Sequence, residues 1–376
     1  MEEVARLSGA HERGVCQLAF SGDGRRIASV GLDDNHSFVV WDWKTSSPLY
    51  SGPGSKRKTL GIALSSDGRR LLQVGVKTMS VHGQQGRNAV SRRVALGRLG
   101  SPQTYLCACI HATDVDGARV EEGLVGTADG HVYVVDLKRR RVTRAVSAHS
   151  GSVYSVAAGG PRGAVLTGGK DGRVRKWSVR LEPDGFHGTG ALAGSGSGSS
   201  GKGSDRMGDE EVGGGDDISL KAHGSTGGSC RAVAWSKCGT KVLAGTSGCE
   251  VFEFTSESGA NPHEAPLVHA HSKHELWGLA CHPTSGEFVT AGDDGMIRLW
   301  DVGEKACKAV LTIGGMARAV AMSPDGNVLA VGMGGRVGGG RSKDDGTVQL
   351  LALERGEDGQ IGGRVIARRR DSREWI

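Results

Sequence analysis

The sequence lacks any uninterrupted apolar run of about 18 residues, the length that a membrane-spanning helix requires. Its first residues, MEEVARLSGAHER, place acids where a secretory signal peptide needs a basic start and an apolar run. Proline is scarce, at 9 of 376 residues, and the glycines follow no G-X-Y period, which excludes a collagen-like chain. The eight cysteines contain no C-x-x-C pair. We therefore expect a cytosolic chain with reduced thiols, no disulfides and no structural zinc.

The charge balance is also modest. Lys and Arg exceed Asp and Glu by 47 − 41 = 6, which is far below the concentrated basic footprint of a dedicated nucleic-acid binder. Glycine is the abundant residue, at 63 positions, and this favours many short elements joined by tight turns. We therefore expect a globular chain without a nucleic-acid or membrane partner.

A unit of short apolar runs and glycine turns recurs at a period of about 40–45 residues, which is typical of four-stranded propeller blades. Its plainest copy is LWGLACHPTSGEFVTAGDDGMIRLWD, residues 276–301. In its last run, Ile297 and Leu299 alternate with Met296 and Arg298, which is the period of two that a strand requires. Seven copies can be counted. The repeat predicts an all-β fold, a β-propeller of about seven four-stranded blades.

The repeats also predict the domain organisation. Residues 183–217 are rich in Gly and Ser, end in acids and have almost nothing to bury, so we interpret them as a flexible insertion. Repeats continue on both sides of it. The predicted divisions are 1–182 for blades 1–4, 183–217 for the insertion, 218–353 for blades 5–7, and 354–376 for the start of a further blade or a C-terminal extension.

Two of the units share a set of four polar residues, in which the Asp precedes the Trp by six positions both times. This arrangement resembles the hydrogen-bonded network of WD40 blades, in which an Asp, a His, a hydroxyl and a Trp are joined. We expect a structural network rather than acid–base catalysis, because separate blades offer the copies no shared cleft. The two sets are His149, Thr167, Asp171 and Trp177, and His271, Thr290, Asp294 and Trp300.

Two other patterns are typical of ligand sites but have the wrong context. Histidines crowd residues 263–282 beside Cys281, yet their spacing matches no familiar zinc finger. The stretch GSGSSGKG, residues 196–203, satisfies G-x-x-x-x-G-K but ends in Gly where a phosphate loop needs Ser or Thr, and no strand precedes it. We therefore expect no metal, no cofactor, no small-molecule substrate and no enzymatic activity.

The sharpest basic run follows the apolar stretch HVYVVDL and should therefore lie on a loop or a strand edge. One interpretation is a solvated edge whose charges discourage strand pairing. The other is a docking patch for an acidic partner. This candidate basic patch consists of Lys138, Arg139, Arg140, Arg141 and Arg144.

Three stretches resemble the echinoderm microtubule-associated protein-like family beyond the generic WD40 pattern. They are VGLDDNHSFVVWDW at 30–43, the part of 148–177 that contains TGGKDGRVRKW, and HELWGLACHP at 274–283. The resemblance covers most of residues 11–376 and implies tubulin and microtubule binding with a cytoplasmic, cytoskeletal location. Family members carry a tandem pair of propellers, so the seven units form either one closed or nearly closed ring or parts of two propellers, and the chain resembles a fragment or reduced relative.

The leading functional hypothesis is therefore a non-enzymatic scaffold whose partner is tubulin or the microtubule. The alternative is a general protein–protein interaction platform in a multi-subunit complex, for example a ciliary or ubiquitin-linked one, because a fold of this class hosts many partners.

Overall fold

The computed structural model describes residues 5–11, 13–115, 118–186, 217–271, 276–334, 347–356 and 361–370. The chain divides into two compact units. The first comprises Met1–Thr246 with Phe252–Ala265, and the second comprises Ser247–Val251 with Pro266–Ile376. Regular structure in the described residues consists of β-strands and two short 3-10 helices.

The first unit contains five groups of antiparallel strands among its described residues, which we number blades 1–5. A single parallel bridge, Ser51 to Asn88, joins blades 1 and 2 into one eight-stranded sheet. Blade 1 is β1 (Val15–Phe20), β2 (Arg26–Gly31), β3 (Phe38–Asp42) and β4 (Ser47–Gly52). Blade 2 is β5 (Thr59–Leu64), β6 (Arg70–Gly75), β7 (Thr78–Gln85) and β8 (Asn88–Arg93). Blade 3 is β9 (Tyr105–Val115), β10 (Ala118–Thr127), β11 (His131–Asp136) and β12 (Arg141–Ser147).

Blades 4 and 5 follow. Blade 4 is β13 (Val153–Ala158), β14 (Val165–Gly169), β15 (Arg173–Trp177) and the short β16 (Ile218–Ser219), with 3-10 turns at Pro161–Gly163 and Leu220–His223. Blade 5 has three strands among the described residues, β17 (Cys230–Trp235), β18 (Lys241–Thr246) and β19 (Val251–Thr255).

The second unit contains two four-stranded antiparallel sheets in its described part. Blade 6 is β20 (Leu276–Cys281), β21 (Glu287–Gly292), β22 (Met296–Asp301) and β23 (Ala306–Thr312). Blade 7 is β24 (Ala317–Met322), β25 (Val328–Met333), β26 (Thr347–Arg355) and β27 (Ile361–Arg370). The predicted all-β class with propeller-type blades is confirmed.

The first strand of every blade carries the same irregularity. One residue is skipped in its pairing with the second strand, which is the signature of a β-bulge. Because the skip falls at the same place each time, the seven described blades are copies of one unit rather than merely similar in strand number. The skips lie between Val15 and Gln17, Thr59 and Gly61, Tyr105 and Cys107, Val153 and Ser155, Cys230 and Ala232, Leu276 and Gly278, and Ala317 and Ala319.

Within each unit, the described apolar clusters lie between neighbouring blades. In the first unit, Ile62 and Leu64 of β5 pack with Val30, Phe38 and other residues of blade 1 in one buried cluster. Each fully buried aliphatic or aromatic side chain contributes roughly 1.5–3 kcal/mol. Each blade therefore depends on its neighbour, because a single sheet cannot cover both of its faces.

The insertion lies at a different place from the predicted one. Ile218 pairs with Val174 of β15, so the segment between Trp177 and Ile218 separates the third and fourth strands of blade 4 rather than two blades. The start of the predicted segment also packs, because Phe186 is buried in the same cluster as Ile218. The remainder of the insertion, 187–216, lies outside the described residues.

The C-terminal division differs as well. The sequence predicted the start of a further blade or an extension from 354 onward, but β26 runs to Arg355 and Ile361–Arg370 forms β27, which pairs with β26. The strand was missed because IGGRVIARRR is rich in Gly and Arg and shows little apolar alternation. Residues 371–376 lie outside the described part of the chain.

Candidate functional site

The four predicted residues of blade 4 are joined in one chain of hydrogen bonds. His149 precedes β13, Thr167 is on β14, Asp171 is in the next turn and Trp177 ends β15. His149 Nδ1 is 2.9 Å from Asp171 Oδ1, and His149 Nε2 is 2.8 Å from Thr167 Oγ1. Trp177 Nε1 donates to the same Thr167 Oγ1 at 2.9 Å. The loop, the second strand and the third strand are thereby linked through one hydroxyl.

The carboxylate sets the direction of this chain of hydrogen bonds. With Nδ1–H of His149 donating to Asp171, Nε2 accepts the proton of the Thr167 hydroxyl, which in turn accepts from the Trp177 indole. Burial favours the neutral form of Asp171, but the hydrogen bond from His149, the amide of Arg173 and the charge of Arg175 together hold the pKa of Asp171 below its ordinary value. The aspartate is therefore a buried, compensated anion.

The predicted residues of blade 6 have the same geometry. His271 Nδ1 is 2.9 Å from Asp294 Oδ1, and His271 Nε2 is 2.9 Å from Thr290 Oγ1. Trp300 Nε1 donates to Thr290 Oγ1 at 2.7 Å. Here a fully buried arginine joins the set, because Arg298 Nη1 donates to Asp294 Oδ2 at 2.9 Å.

Blade 1 contains a third copy that our sequence reasoning missed. His11 Nε2 lies 2.8 Å from Ser29 Oγ, and Trp41 Nε1 donates to Ser29 Oγ at 2.9 Å. Asp33 occupies the position of the turn aspartate and accepts the hydroxyl of Ser37 at 2.6 Å. The tryptophan follows this aspartate by eight residues instead of six, which is why the fixed spacing did not find it.

A shared sequence signal could have found all three copies. Each has the pattern Ser or Thr, any residue, Gly, any residue, Asp, as in Thr167 to Asp171. The central glycine is needed for close approach, because a Cβ on Gly169 would lie 2.4 Å from the ring of His149, and one on Gly31 would lie 2.6 Å from His11 Nδ1.

In each set one hydroxyl links the histidine before the first strand to the tryptophan of the third strand. The Thr167 side chain is fully buried and its oxygen bonds both the histidine and the tryptophan. A nucleophilic hydroxyl must reach a substrate as well as its base, whereas the Thr167 oxygen is buried between these two partners. These hydrogen bonds connect the loop before each of these blades to its third strand.

The predicted basic patch lies on one outer edge of blade 3. Lys138, Arg139 and Arg140 form the turn between β11 and β12, and Arg141 and Arg144 lie on β12. The turn is held from within, since a carboxylate oxygen of Asp136 accepts the amides of Lys138 and Arg139 at 2.8 Å each. Arg144 Nη1 donates to the carbonyl of Arg180 at 2.6 Å.

Three described histidines of the region 263–282 have separate partners in the structure. His271 belongs to the network of blade 6, His263 faces Glu253 at 3.3 Å, and His282 Nδ1 accepts the amides of Thr284 and Ser285. Within the described ranges, no group of three His, Cys, Asp or Glu side chains could hold a metal ion. His274 and the stretch 196–203 lie outside those ranges. Among the described residues, no helix is long and apolar enough to cross a membrane.

The chain is similar to one family of repeats and to several known proteins. The WD40 family, described as WD domain, G-beta repeat, matches residues 2–42, 140–178 and 265–301. These matches contain the three tryptophans of the networks in blades 1, 4 and 6.

Curated relatives match a larger part of the chain. Echinoderm microtubule-associated protein-like 2 of Rattus norvegicus is 27% identical over 328 residues, which cover 86% of this chain and 43% of the relative. The 77 kDa echinoderm microtubule-associated protein of Lytechinus variegatus is 23% identical over 86% of this chain and 42% of the relative. The chain thus spans about two fifths of the length of these relatives. Among solved structures, the RRP9 WD40 repeats match with a TM-score of 0.47 and 16% identity over 96% of this chain and 97% of that one.

Proposed function

We propose that this chain, a WD40-repeat protein similar to echinoderm microtubule-associated protein-like proteins, is a non-enzymatic scaffold that binds tubulin and microtubules in the cytoplasm. The observation that carries the proposal is the similarity over 86% of the chain to relatives named for microtubule association. A rigid array of blades with exposed turns is suited to protein docking, because rigid elements hold a binding surface at low entropic cost.

The basic patch is the proposed docking surface. Four of its cations, Lys138, Arg139, Arg141 and Arg144, are exposed, and a basic surface attracts an acidic partner and speeds its association. The structural networks of blades 1, 4 and 6 are proposed to support the scaffold and not to contact the partner.

Cosedimentation with polymerised tubulin and size exclusion with soluble tubulin test the proposal. We expect the chain to pellet with the polymer and to coelute with the dimer at low salt. A variant with Arg139→Gln and Arg141→Gln should bind several-fold more weakly, since exposed ion pairs are each worth roughly 0.2–1 kcal/mol. The matched control, Arg162→Gln with Lys170→Gln, removes two exposed cations from blade 4 and should bind as the wild type does.

Failure of the wild type in both assays at low salt would remove the tubulin proposal and leave the fold untouched. Affinity capture from cells then discriminates the alternative platform function, by whether tubulin or other proteins dominate the bound fraction.

A further inference from the structure

A groove lies between blades 2 and 3 in the first unit. It has a volume of about 350 Å³ and is lined by the start of β6, the end of β7, part of β8 and the turn between β11 and β12. Backbone hydrogen bonds join the two blades at the groove residue Arg140, because the amide of Ala95 after β8 donates to the carbonyl of Arg140 at 2.8 Å and the Ala95 carbonyl accepts from Val142 at 2.9 Å. It is therefore a built feature of two neighbouring blades.

The charged residues that line the groove are all cations. They are Arg70, Lys138 and Arg140, and the amides of Gln84 and Gln85 lie beside them. Nearby carboxylates have other hydrogen-bond partners: Asp67 accepts from Ser65 and the amide of Arg69, and Asp136 accepts the amides of the turn. The charge of Arg70 also helps to lower the pKa of Asp67, without a hydrogen bond between the two described side chains. In the described part of the chain, no carboxylate forms an ion pair with any of the three lining cations.

The floor of the groove is apolar. Val81 and Leu137 are 4% and 2% exposed, and Val90 on the edge is 40% exposed. Gly83 keeps the space open, because a Cβ added to it would meet no atom within 4 Å. Val81, Gly83 and Gln85 alternate along β7, so a side chain at 83 would project to the face that lines the groove.

We propose that this groove binds an extended acidic segment of a partner protein, in which carboxylates flank an apolar side chain. The proposal deepens the proposed function, since it takes docking of a protein partner at the basic patch as its premise. The three cations fit the carboxylates, and the apolar floor fits the side chain between them. A nucleic-acid backbone would use the cations and leave the floor uncovered.

Fluorescence anisotropy with a labelled peptide of sequence Gly-Glu-Glu-Leu-Glu-Glu-Gly measures this binding directly. Gly83→Leu fills the groove without a change in charge and should weaken binding about tenfold, since a filled pocket excludes its ligand. Arg140→Gln removes one lining cation and should weaken binding about fivefold. The matched control is Arg162→Gln, which removes an exposed cation of blade 4 that does not line the groove, and its affinity should change less than twofold.

If Gly83→Leu lowers the melting temperature, a second variant can test the groove in its place. Val90→Glu introduces a carboxylate at the exposed edge and should weaken peptide binding at least as much as Arg140→Gln. Equal effects of Arg162→Gln and Arg140→Gln, or wild-type binding by Gly83→Leu and Val90→Glu, would show a diffuse charge effect and overturn the groove site.

Competition separates the classes of ligand. Peptide with Gln in place of every Glu, inorganic phosphate and a short DNA duplex should each fail to displace the labelled peptide at equal concentration. Displacement by the duplex that Gly83→Leu abolishes would assign the groove to nucleic acid and overturn the proposal. The assay contains no tubulin, so groove-dependent peptide binding stands even if the chain does not pellet with microtubules.

Discussion

Blades 4 and 6 carry the same four-residue network but surround it with different charges. In blade 4, Arg175 Nε donates to Asp217 Oδ2 at 2.7 Å, and the guanidinium also bonds the carbonyl of Ala148. In blade 6 the corresponding Arg298 faces Val310 across the strand pair and is fully buried. Within the described residues its Nε and Nη2 atoms have no hydrogen-bond partner.

The same network is therefore combined with different acidic partners of its arginine in the two blades. Blade 4 divides the neutralisation of its arginine between Asp171 and Asp217, which lie 3.8 Å and 2.7 Å from it. In the described part of blade 6, the ion pair of Arg298 is with Asp294, at 2.9 Å. A buried charge without its partner is far more costly than an absent ion pair, so blade 6 depends more on a single residue.

The largest expected effect follows from that dependence. Asp294→Ala removes the partner of His271 and leaves the Arg298 guanidinium buried without compensation, so it should lower the free energy of unfolding by about 3–5 kcal/mol. Asp171→Ala should cost about 1–3 kcal/mol, because Asp217 still pairs with Arg175. Denaturant unfolding of each variant, monitored by tryptophan fluorescence, checks the order.

The control is Asp301→Ala, also in blade 6. The carboxylate of Asp301 accepts the amide of Glu304 in the turn after β22, and loss of such a cap costs only about 1 kcal/mol. Equal losses for Asp294→Ala and Asp301→Ala would contradict the network, and equal losses for Asp294→Ala and Asp171→Ala would contradict the comparison of the two blades.

Blade 2 extends the comparison to a histidine without a carboxylate. His82 stands on β7, its Nε2 lies 2.9 Å from Gln73 Oε1, and its ring packs against Phe38 at 4.6 Å between centroids. Burial lowers the pKa of His82 from 6.5 to about 4. As the pH falls, the unfolded chain therefore takes up this proton before the folded chain does.

The stability that neutral His82 contributes is thus complete above pH 6.5 and is lost progressively as the pH falls towards 4. Acidification from pH 7 to pH 5 should cost about 2 kcal/mol at this residue, at about 1.4 kcal/mol per unit. Unfolding free energies measured across this range for the wild type and for His82→Gln give the difference. Parallel pH profiles of the two proteins would show that His82 is not the group that titrates.

The next predicted change in stability is smaller, and it is an increase rather than a loss. Val310→Asp places a carboxylate opposite Arg298, as Asp217 lies opposite Arg175, and should raise the stability of blade 6 by about 1 kcal/mol after desolvation of the new charge. Val310→Asn is the control, because it supplies an oxygen without a charge and should gain less. Thermal unfolding compares them, and a lower melting temperature for Val310→Asp would show that Arg298 is already neutralised.

Part of each network can be predicted from the sequence because three of its residues lie close together along the chain. Thr167, Asp171 and Trp177 lie within eleven consecutive residues, so strand alternation and one turn bring them together. His149 lies outside this window and was predicted only from the resemblance to WD40 blades, whereas the acidic partner of Arg175 was not predicted. Asp217 reaches Arg175 across 42 residues, and its acidic surroundings suggested only a solvated linker. The groove likewise needs two blades, so the basic run predicted its charge but not its apolar floor.

Blades 1 and 5 also differ at one residue in the turn between their first two strands, and this difference has the smallest expected effect. In blade 1, Asp23 Oδ1 accepts the Ser21 hydroxyl at 2.5 Å and the amide of Arg25 at 3.0 Å. Blade 5 has Cys238 in that place, with its Sγ 3.4 Å from Ser236 Oγ and 2.9 Å from Thr240 Oγ1. These hydroxyls lower the pKa of Cys238 to about 7. A thiol that ionises near neutral pH therefore takes the position that a carboxylate occupies in blade 1.

The thiol of Cys238 should accordingly be alkylated by iodoacetamide with a half-maximal rate near pH 7, because the thiolate is the nucleophile. Cys107, whose pKa burial raises to about 12, should stay unmodified in the folded chain. Ser236→Ala removes one donor and should move the midpoint towards the ordinary value of about 8.5. Mass spectrometry of each labelled cysteine across pH gives these midpoints. A wild-type midpoint already near 8.5 would mean that the hydroxyls of this turn do not donate to the sulfur, and that Cys238 does not replace the anion of the other blades.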